Sequence, residues 1–236
     1  MLVFNNIEVK IADRLLFVSR KVELKAGVVA LVGRNGSGKS TFIRTILGDH
    51  ELSSGVISLD GGPIEGYKPR SLSKKIAVVY SKPQLFGDHS VQEVLLLGRI
   101  PHQNIWGMNS QKDLSLVQNV AKNISIEHLL DKKFQSLSDG EKQLVMIGRA
   151  FCQSTDIIIL DEPAAFLDVV NRKEVMALLK KVAKTEKKLV IFSTHHVETL
   201  QDDCDQLLLI ENKEMIFSSN PNKFKELISK AFKLES

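Results

Sequence analysis

The string 33-GRNGSGKS-40 sets three glycines, a lysine and a serine at the spacing G-x-x-x-x-G-K-[ST]. Glycines at 33, 36 and 38 let a backbone turn successive N–H groups inward on an anion. Lys39 reaches the β- and γ-phosphates as a mobile point charge, and the Ser40 hydroxyl is a hard oxygen ligand for Mg²⁺. The apolar run 28-VVALV-32 leads in and 42-FIRTILG-48 leads out, so the loop falls between a strand and a helix whose positive end faces the same anion. That context predicts a bound nucleoside triphosphate. Downstream, 157-IIILDEP-163 closes an apolar strand with two acids and a proline that stops it. Asp161 at the strand tip is placed to hold Mg²⁺ through water, and Glu162, projecting differently, to polarise an attacking water. An acidic turn alone is common; below a phosphate loop it predicts hydrolysis.

These groups need strands to carry them. Short strands are expected over 2-LVF-4, 7-IEVKI-11 and 15-LLFVSRKVEL-24, then 28-VVALV-32 and 76-IAVVY-80. The runs 157-IIILD-161, 189-LVIFST-194 and 207-LLLI-210 complete a set with few polar interruptions, as a parallel sheet covered on both faces requires. Between about residues 82 and 154 helical periodicity dominates instead. Ser90 with Glu93, Ser110 with Asp113 and Ser138 with Glu141 are capping boxes that open helices. Phe224, Leu227, Ile228, Ala231 and Phe232 have the spacing of a terminal helix docked on the core.

The chain has 236 residues, 43% apolar and 25% charged, which fits one large α/β domain or a domain carrying a subdomain and excludes disorder. Lys and Arg number 32 against 28 Asp and Glu, and a net charge of +4 is too small for a surface that wraps nucleic acid. Cys152 and Cys204 give no disulfide framework. The longest aliphatic runs fall far short of the roughly 20 residues that span a bilayer. The start MLVFNNIEVK lacks the basic-then-apolar pattern of a signal peptide, so a soluble intracellular protein is expected.

Taken together the residues resemble the ATP-binding-cassette (ABC) ATPases over essentially the whole chain. The most diagnostic element, 137-LSDGE-141, looks like that family's signature motif; 164-AAFLD-168 is similar to its interface loop, with Asp168 as the acid, and 193-STHHV-197 puts His195 where the family has a switch histidine and His196 where an acid is common. The resemblance implies a P-loop NTPase (RecA-like) α/β core with a mostly parallel sheet, an N-terminal antiparallel β part and an inserted α-helical subdomain. In one ABC ATPase domain spanning 1–236, residues 1–81 and 155–236 would form the core and 82–154 the subdomain. It implies ATP and Mg²⁺, with Glu162, His195 and Lys39 catalytic and Ser40, Asp161 and Ser81 at the metal. Contacts to ATP would come from Gly33, Arg34, Asn35, Gly36, Ser37, Gly38, Lys39, Ser40, Thr41 and Ile11. Ser138, Gly140, Glu141 and Asp168 would reach the nucleotide of a second copy in a head-to-tail homodimer.

Three positions depart from the family pattern. Its glutamine beyond 76-IAVVY-80 is Ser81 here, with Gln84 three residues on as the other candidate; its adenine-stacking aromatic is Ile11; and Asp139 replaces a glycine in the signature, in an open role. The segment 98-GRIPH-102 resembles importers of iron–siderophore, haem and cobalamin, in which it lies beside the groove that receives the permease, so Arg99 and His102 are expected on that contact surface. A helix end at Gly98 before a proline turn accounts for the same residues. The importer reading adds an integral-membrane permease and, indirectly, an extracytoplasmic substrate-binding protein as partners, no nucleic acid, and a place on the inner face of the cell membrane. An exporter subunit, a subunit of another ABC import system, a soluble ABC ATPase and a non-hydrolysing regulator are the alternatives. Intact Glu162 speaks against the last.

Overall fold

The computed structural model describes residues 1–81, 87–103, 107–165, 167–195, 197 and 200–232; Gln84, His196 and Lys233 lie outside them. The chain opens with β1 (Leu2–Ile11), β2 (Arg14–Ser19), β3 (Val22–Leu24) and β4 (Gly27–Gly33), then α1 (Lys39–Ile46). β5 (Ser54–Leu59), β6 (Gly62–Pro63), α2 (Pro69–Leu72) and β7 (Ile76–Val79) follow. Three helices come next: α3 (Val91–Leu97), α4 (Gln111–Asn123) and α5 (Asp139–Cys152). The chain closes with β8 (Ile157–Leu160), α6 (Val169–Thr185), β9 (Leu189–Thr194), α7 (Leu200–Asp203), β10 (Gln206–Glu211), β11 (Glu214–Ser218) and α8 (Phe224–Phe232).

The neighbours β10, β4, β9, β8 and β7 run parallel, in that order. Their continuous apolar runs follow from burial on both faces, because successive side chains alternate. Val28, Ala30 and Val32 of β4 face one core with Ile158 and Leu160, while Val29 and Leu31 face a second with Ile157 and Ile159. Burying each such Val, Ile or Leu fully contributes roughly 1.5–3 kcal/mol.

The antiparallel part pairs β1 with β2, β3 and β5, and β5 with β6. It joins the parallel strands through β11, which lies between β2 and β10. Two expectations need correcting. Residues 2–4 and 7–11 form one strand, carried through Asn6 at φ 46°, whereas 15–24 divides into β2 and β3 at Arg20 and Lys21. β5, β6 and β11 were not expected, since their half-exposed faces do not give a clean alternation. Phe42 of α1 meets Phe4 and Phe17 edge-on at 5.0 and 5.7 Å, so the helix after the phosphate loop is seated on the antiparallel part.

All three capping boxes form: Ser90, Ser110 and Ser138 each accept from the backbone N–H three residues on, and that residue's carboxylate accepts in return. Each cap contributes about 1 kcal/mol. Gly98 ends α3 in ordinary right-handed geometry, so no left-handed cap demands the glycine. A Cβ there would stand 2.3 Å from the Arg149 carbonyl, which means close packing of α3 on α5 requires it. Among the described residues no helix is long and apolar enough to cross a membrane.

Candidate active site

Parallel strands present their C-terminal ends along one edge, where α/β folds bind ligands. Here β4 delivers the phosphate loop, β8 delivers Asp161 and Glu162, and β9 delivers His195. In the loop Gly36 and Gly38 have φ of 76° and 108°, which only glycine adopts freely. Gly33 is close-packed for another reason: a Cβ would sit 3.0 Å from the Ile210 carbonyl and would displace the Ser37 hydroxyl. α1 starts at Lys39, directly behind Gly38, so the free N–H groups of its first turn face the loop's interior.

Lys39 is buried, and its Nζ donates to the carbonyls of Gly33 at 2.8 Å and Arg34 at 3.3 Å. Burial pushes its pKa below the ordinary lysine value, against the pull of the Glu162 and Asp161 carboxylates. Ser40 Oγ donates to Asp161 Oδ2 at 2.8 Å. The other oxygen, Oδ1, accepts from Ser193 Oγ at 2.6 Å, and Ser193 Oγ in turn accepts the Glu162 backbone N–H at 2.8 Å. Glu162 has φ of 49°, a left-handed conformation uncommon outside glycine. That turn carries its side chain away from Asp161, so that Glu162 Oε1 lies 3.3 Å from His195 Nδ1. Fully buried Ser193 joins Asp161 to the Glu162 backbone, and the sequence motifs did not single it out.

A cleft of about 500 Å³ opens above Lys39, Ser40 and Glu162; His195 and Ser193 line a separate pocket that shares Glu162 with it. The cleft is lined by Asn35, Gly36 and Gly38–Thr41 from the loop, by Glu162, and by Ile11, Arg14 and Leu16 from the β1–β2 hairpin. Gly33 lies beneath it as an acceptor for Lys39. Ser37 Oγ is buried without a partner, and Arg34 turns away, its guanidinium 5.9 Å from the Phe232 ring and 3.5 Å from the Ala231 carbonyl of α8. Ser81 lies two residues beyond β7, next to β8, and its side chain is not among those lining the cleft. Ser138, Gly140, Glu141 and Asp168 do not line it either. Ser138 and Glu141 cap α5, Gly140 packs near Leu167, and Asp168 caps α6 by accepting the Asn171 N–H at 2.8 Å. Asp139 in the first turn of α5 points to solvent, 79% exposed, and its negative charge suits a helix start.

Arg99 differs from expectation. Its side chain is 13% exposed and donates to Asp113 Oδ1 at 2.7 Å, the Cys152 carbonyl at 2.6 Å and Ser154 Oγ at 3.2 Å. It is an internal pin between α3, α4 and α5, unavailable as a contact surface. His102 is exposed, with Nε2 2.8 Å from the Gln153 carbonyl.

Hard oxygens of Ser40 and Asp161 fit Mg²⁺, which takes one or two protein ligands and completes its shell with phosphate and water. Among the described residues no group of three or more His, Cys, Asp or Glu could hold a metal by itself.

A glycine loop at a strand tip, facing paired acids on the next parallel strands but one, defines a nucleoside-triphosphate-binding α/β protein. Comparison with known proteins narrows the class. The family model described as "ABC transporter" matches residues 20–165. An uncharacterized ABC transporter ATP-binding protein of Methanocaldococcus jannaschii is 30% identical over 100% of this chain and 82% of its own. The petrobactin import ATP-binding protein of Bacillus anthracis is 32% identical over 90% of this chain and 78% of its own. The solved structure of cbiO1 from Clostridium perfringens, part of the ABC transporter complex cbiONQ, superposes with a TM-score of 0.83 at 29% identity, covering 97% and 93% of the two chains. The chain belongs to the ABC transporter family. It is an ATP-binding cassette and hydrolyses ATP.

Proposed function

We propose that this chain energises an ABC importer, supplying ATP hydrolysis for uptake of an iron–siderophore, haem or cobalamin-type substrate. The name of the petrobactin import relative and the segment 98-GRIPH-102 support the cargo class. The converging chain Ser40–Asp161–Ser193–Glu162–His195 is the observation that carries the enzymatic part. In this reading Glu162 takes the proton of the attacking water, held towards the cleft by its left-handed backbone and by His195. Lys39 and His195 stabilise charge on the transferred phosphoryl group, and the loop N–H groups orient it. Ser40 and Asp161 would hold Mg²⁺, with Ser81 as a further hydroxyl, and the ion would supply neutralisation of phosphate charge.

Residues 1–81 and 155–236 then act as the ATP-binding core and 82–154 as the helical subdomain that turns towards the membrane. Exposed Ile100 and Met108, at 53% and 65%, support a partner surface on this subdomain. A second copy docks head-to-tail, bringing its Ser138, Gly140, Glu141 and Asp168 to this copy's ATP. The pair works on the inner face of the membrane beneath a permease fed by an extracytoplasmic binding protein.

The test is a membrane pull-down with Glu162→Gln loaded with Mg·ATP, followed by reconstitution of the recovered complex. The variant is expected to lose turnover by at least about a hundredfold while retaining ATP, and to carry a polytopic permease that moves a ferric siderophore, haem or cobalamin into vesicles. Recovery of ribosomes, nucleic acid or soluble protein alone overturns the transport reading.

A further inference from the structure

The phosphate end of the cleft is fully provided for by the loop, Lys39 and Ser40, whereas its remaining wall is built by the β1–β2 hairpin. Ile11 and Arg14 are cross-strand partners at the hairpin tip, joined by a tight turn with Ala12 at φ 49°, and both side chains are exposed to the cleft. Just inside them a bulge sets Leu16 out of register, since Val9 faces Phe17 and Lys10 faces Leu15. Leu16 and Phe17 lie flush on the loop: a Cβ on Gly38 would stand 3.1 Å from Leu16 Cδ1 and 3.3 Å from Phe17. The hairpin tip is therefore held at a fixed place relative to the phosphates.

Ile11 and Leu16 suit a ring, not a charged phosphate. Neither offers a flat face. Arg14 does: a guanidinium is planar, delocalised and weakly hydrated, and stacks on aromatic rings. Among the described residues no hydrogen bond or ion pair engages the Arg14 side chain. We propose that Arg14 is the base platform of this ATP site, stacking its guanidinium on the purine while Ile11 and Leu16 close the ring's edge. Arg14 is thus an affinity-determining residue in a cleft whose lining includes no aromatic side chain. The inference rests on ATP as the ligand of the cleft and is independent of the cargo.

Calorimetric titration of the full chain with Mg·ATP and with Mg·tripolyphosphate, which lacks a base, separates stacking from charge. Arg14→Ala is expected to weaken ATP binding by about tenfold and leave tripolyphosphate binding unchanged. Arg14→Lys, which keeps the charge and loses the plane, should behave as Arg14→Ala, while Arg14→Tyr recovers most of the affinity. Equal loss of both ligands with rescue by lysine assigns Arg14 to the phosphates and overturns the proposal, as does unchanged ATP binding in Arg14→Ala. A wild-type chain that binds tripolyphosphate as tightly as ATP also overturns it. Failure of the membrane pull-down, by contrast, leaves this result untouched.

Discussion

Ser193 holds the adjacent acids Asp161 and Glu162 in two different directions. By donating to one oxygen of Asp161 it leaves the other directed at Ser40, and by accepting the Glu162 N–H it stabilises the left-handed turn that sends Glu162 towards His195. Outer partners of this kind are worth about 10–100-fold in activity or metal affinity. Ser193→Ala is therefore expected to lower turnover by about tenfold or more and to raise the Mg²⁺ concentration needed for half-maximal rate, with ATP affinity little changed. A Mg²⁺ titration of the ATPase rate checks it, because a merely structural loss would lower the rate equally at every concentration. That Lys39, Ser40, Asp161 and Glu162 would meet was legible in the sequence because each sits in a motif of fixed spacing at a strand tip. Ser193 was not, since a serine late in 189-LVIFST-194 reads as the tail of a strand, and its partners are 31 and 32 residues away. Arg14 was hidden likewise: only the fold brings a lone arginine to the mouth of the cleft.

Among the helices, what was legible is what is local. A capping box is complete within four residues, so all three could be read directly, whereas the role of Arg99 depends on partners 14, 53 and 55 residues along. That pin has a pH signature. Hydrogen bonds from Ser110 first, then from Arg99, hold the Asp113 carboxyl at about 2, below its ordinary 3.8. A carboxylate whose folded-state pKa is depressed stabilises the fold above its unfolded value and ceases to do so as the pH falls through the folded one. The start of α4 should thus keep its full support above about pH 4 and lose it progressively towards pH 2. Thermal melting of wild type and Asp113→Asn should differ most at neutral pH and converge across that window; a constant gap would show that Asp113 acts through something other than its charge.

For the molecule as a whole, the strands of the parallel core were legible from their apolar runs, but their order was not. Nothing in 28-VVALV-32 says that β9 and β10 will flank it, and the order is what sets the phosphate loop, the acids and the histidine on one edge. The half-exposed strands β5 and β11 were lost for the opposite reason, since their residues obey cross-strand neighbours more than any period of their own. β11 nonetheless stitches the antiparallel part to the core, and with it the hairpin that bears Arg14.

The contact of Arg34 with Phe232 and the Ala231 carbonyl ties a residue of the phosphate loop to the last described turn of the chain. Two events that share a structural element share free energy, and the exchange must be reciprocal. Whatever ATP gains from an ordered loop, α8 gains from ATP. A cation–π contact of this exposure is worth about 0.5–1 kcal/mol, which sets the ceiling of the coupling: Phe232→Ala should weaken ATP by no more than about fivefold and, by the same factor, reduce the protection from hydrogen exchange that ATP confers on the amides of α8. With that exchange measured, the C-terminal helix would report, from outside the cleft, whether the cassette is loaded.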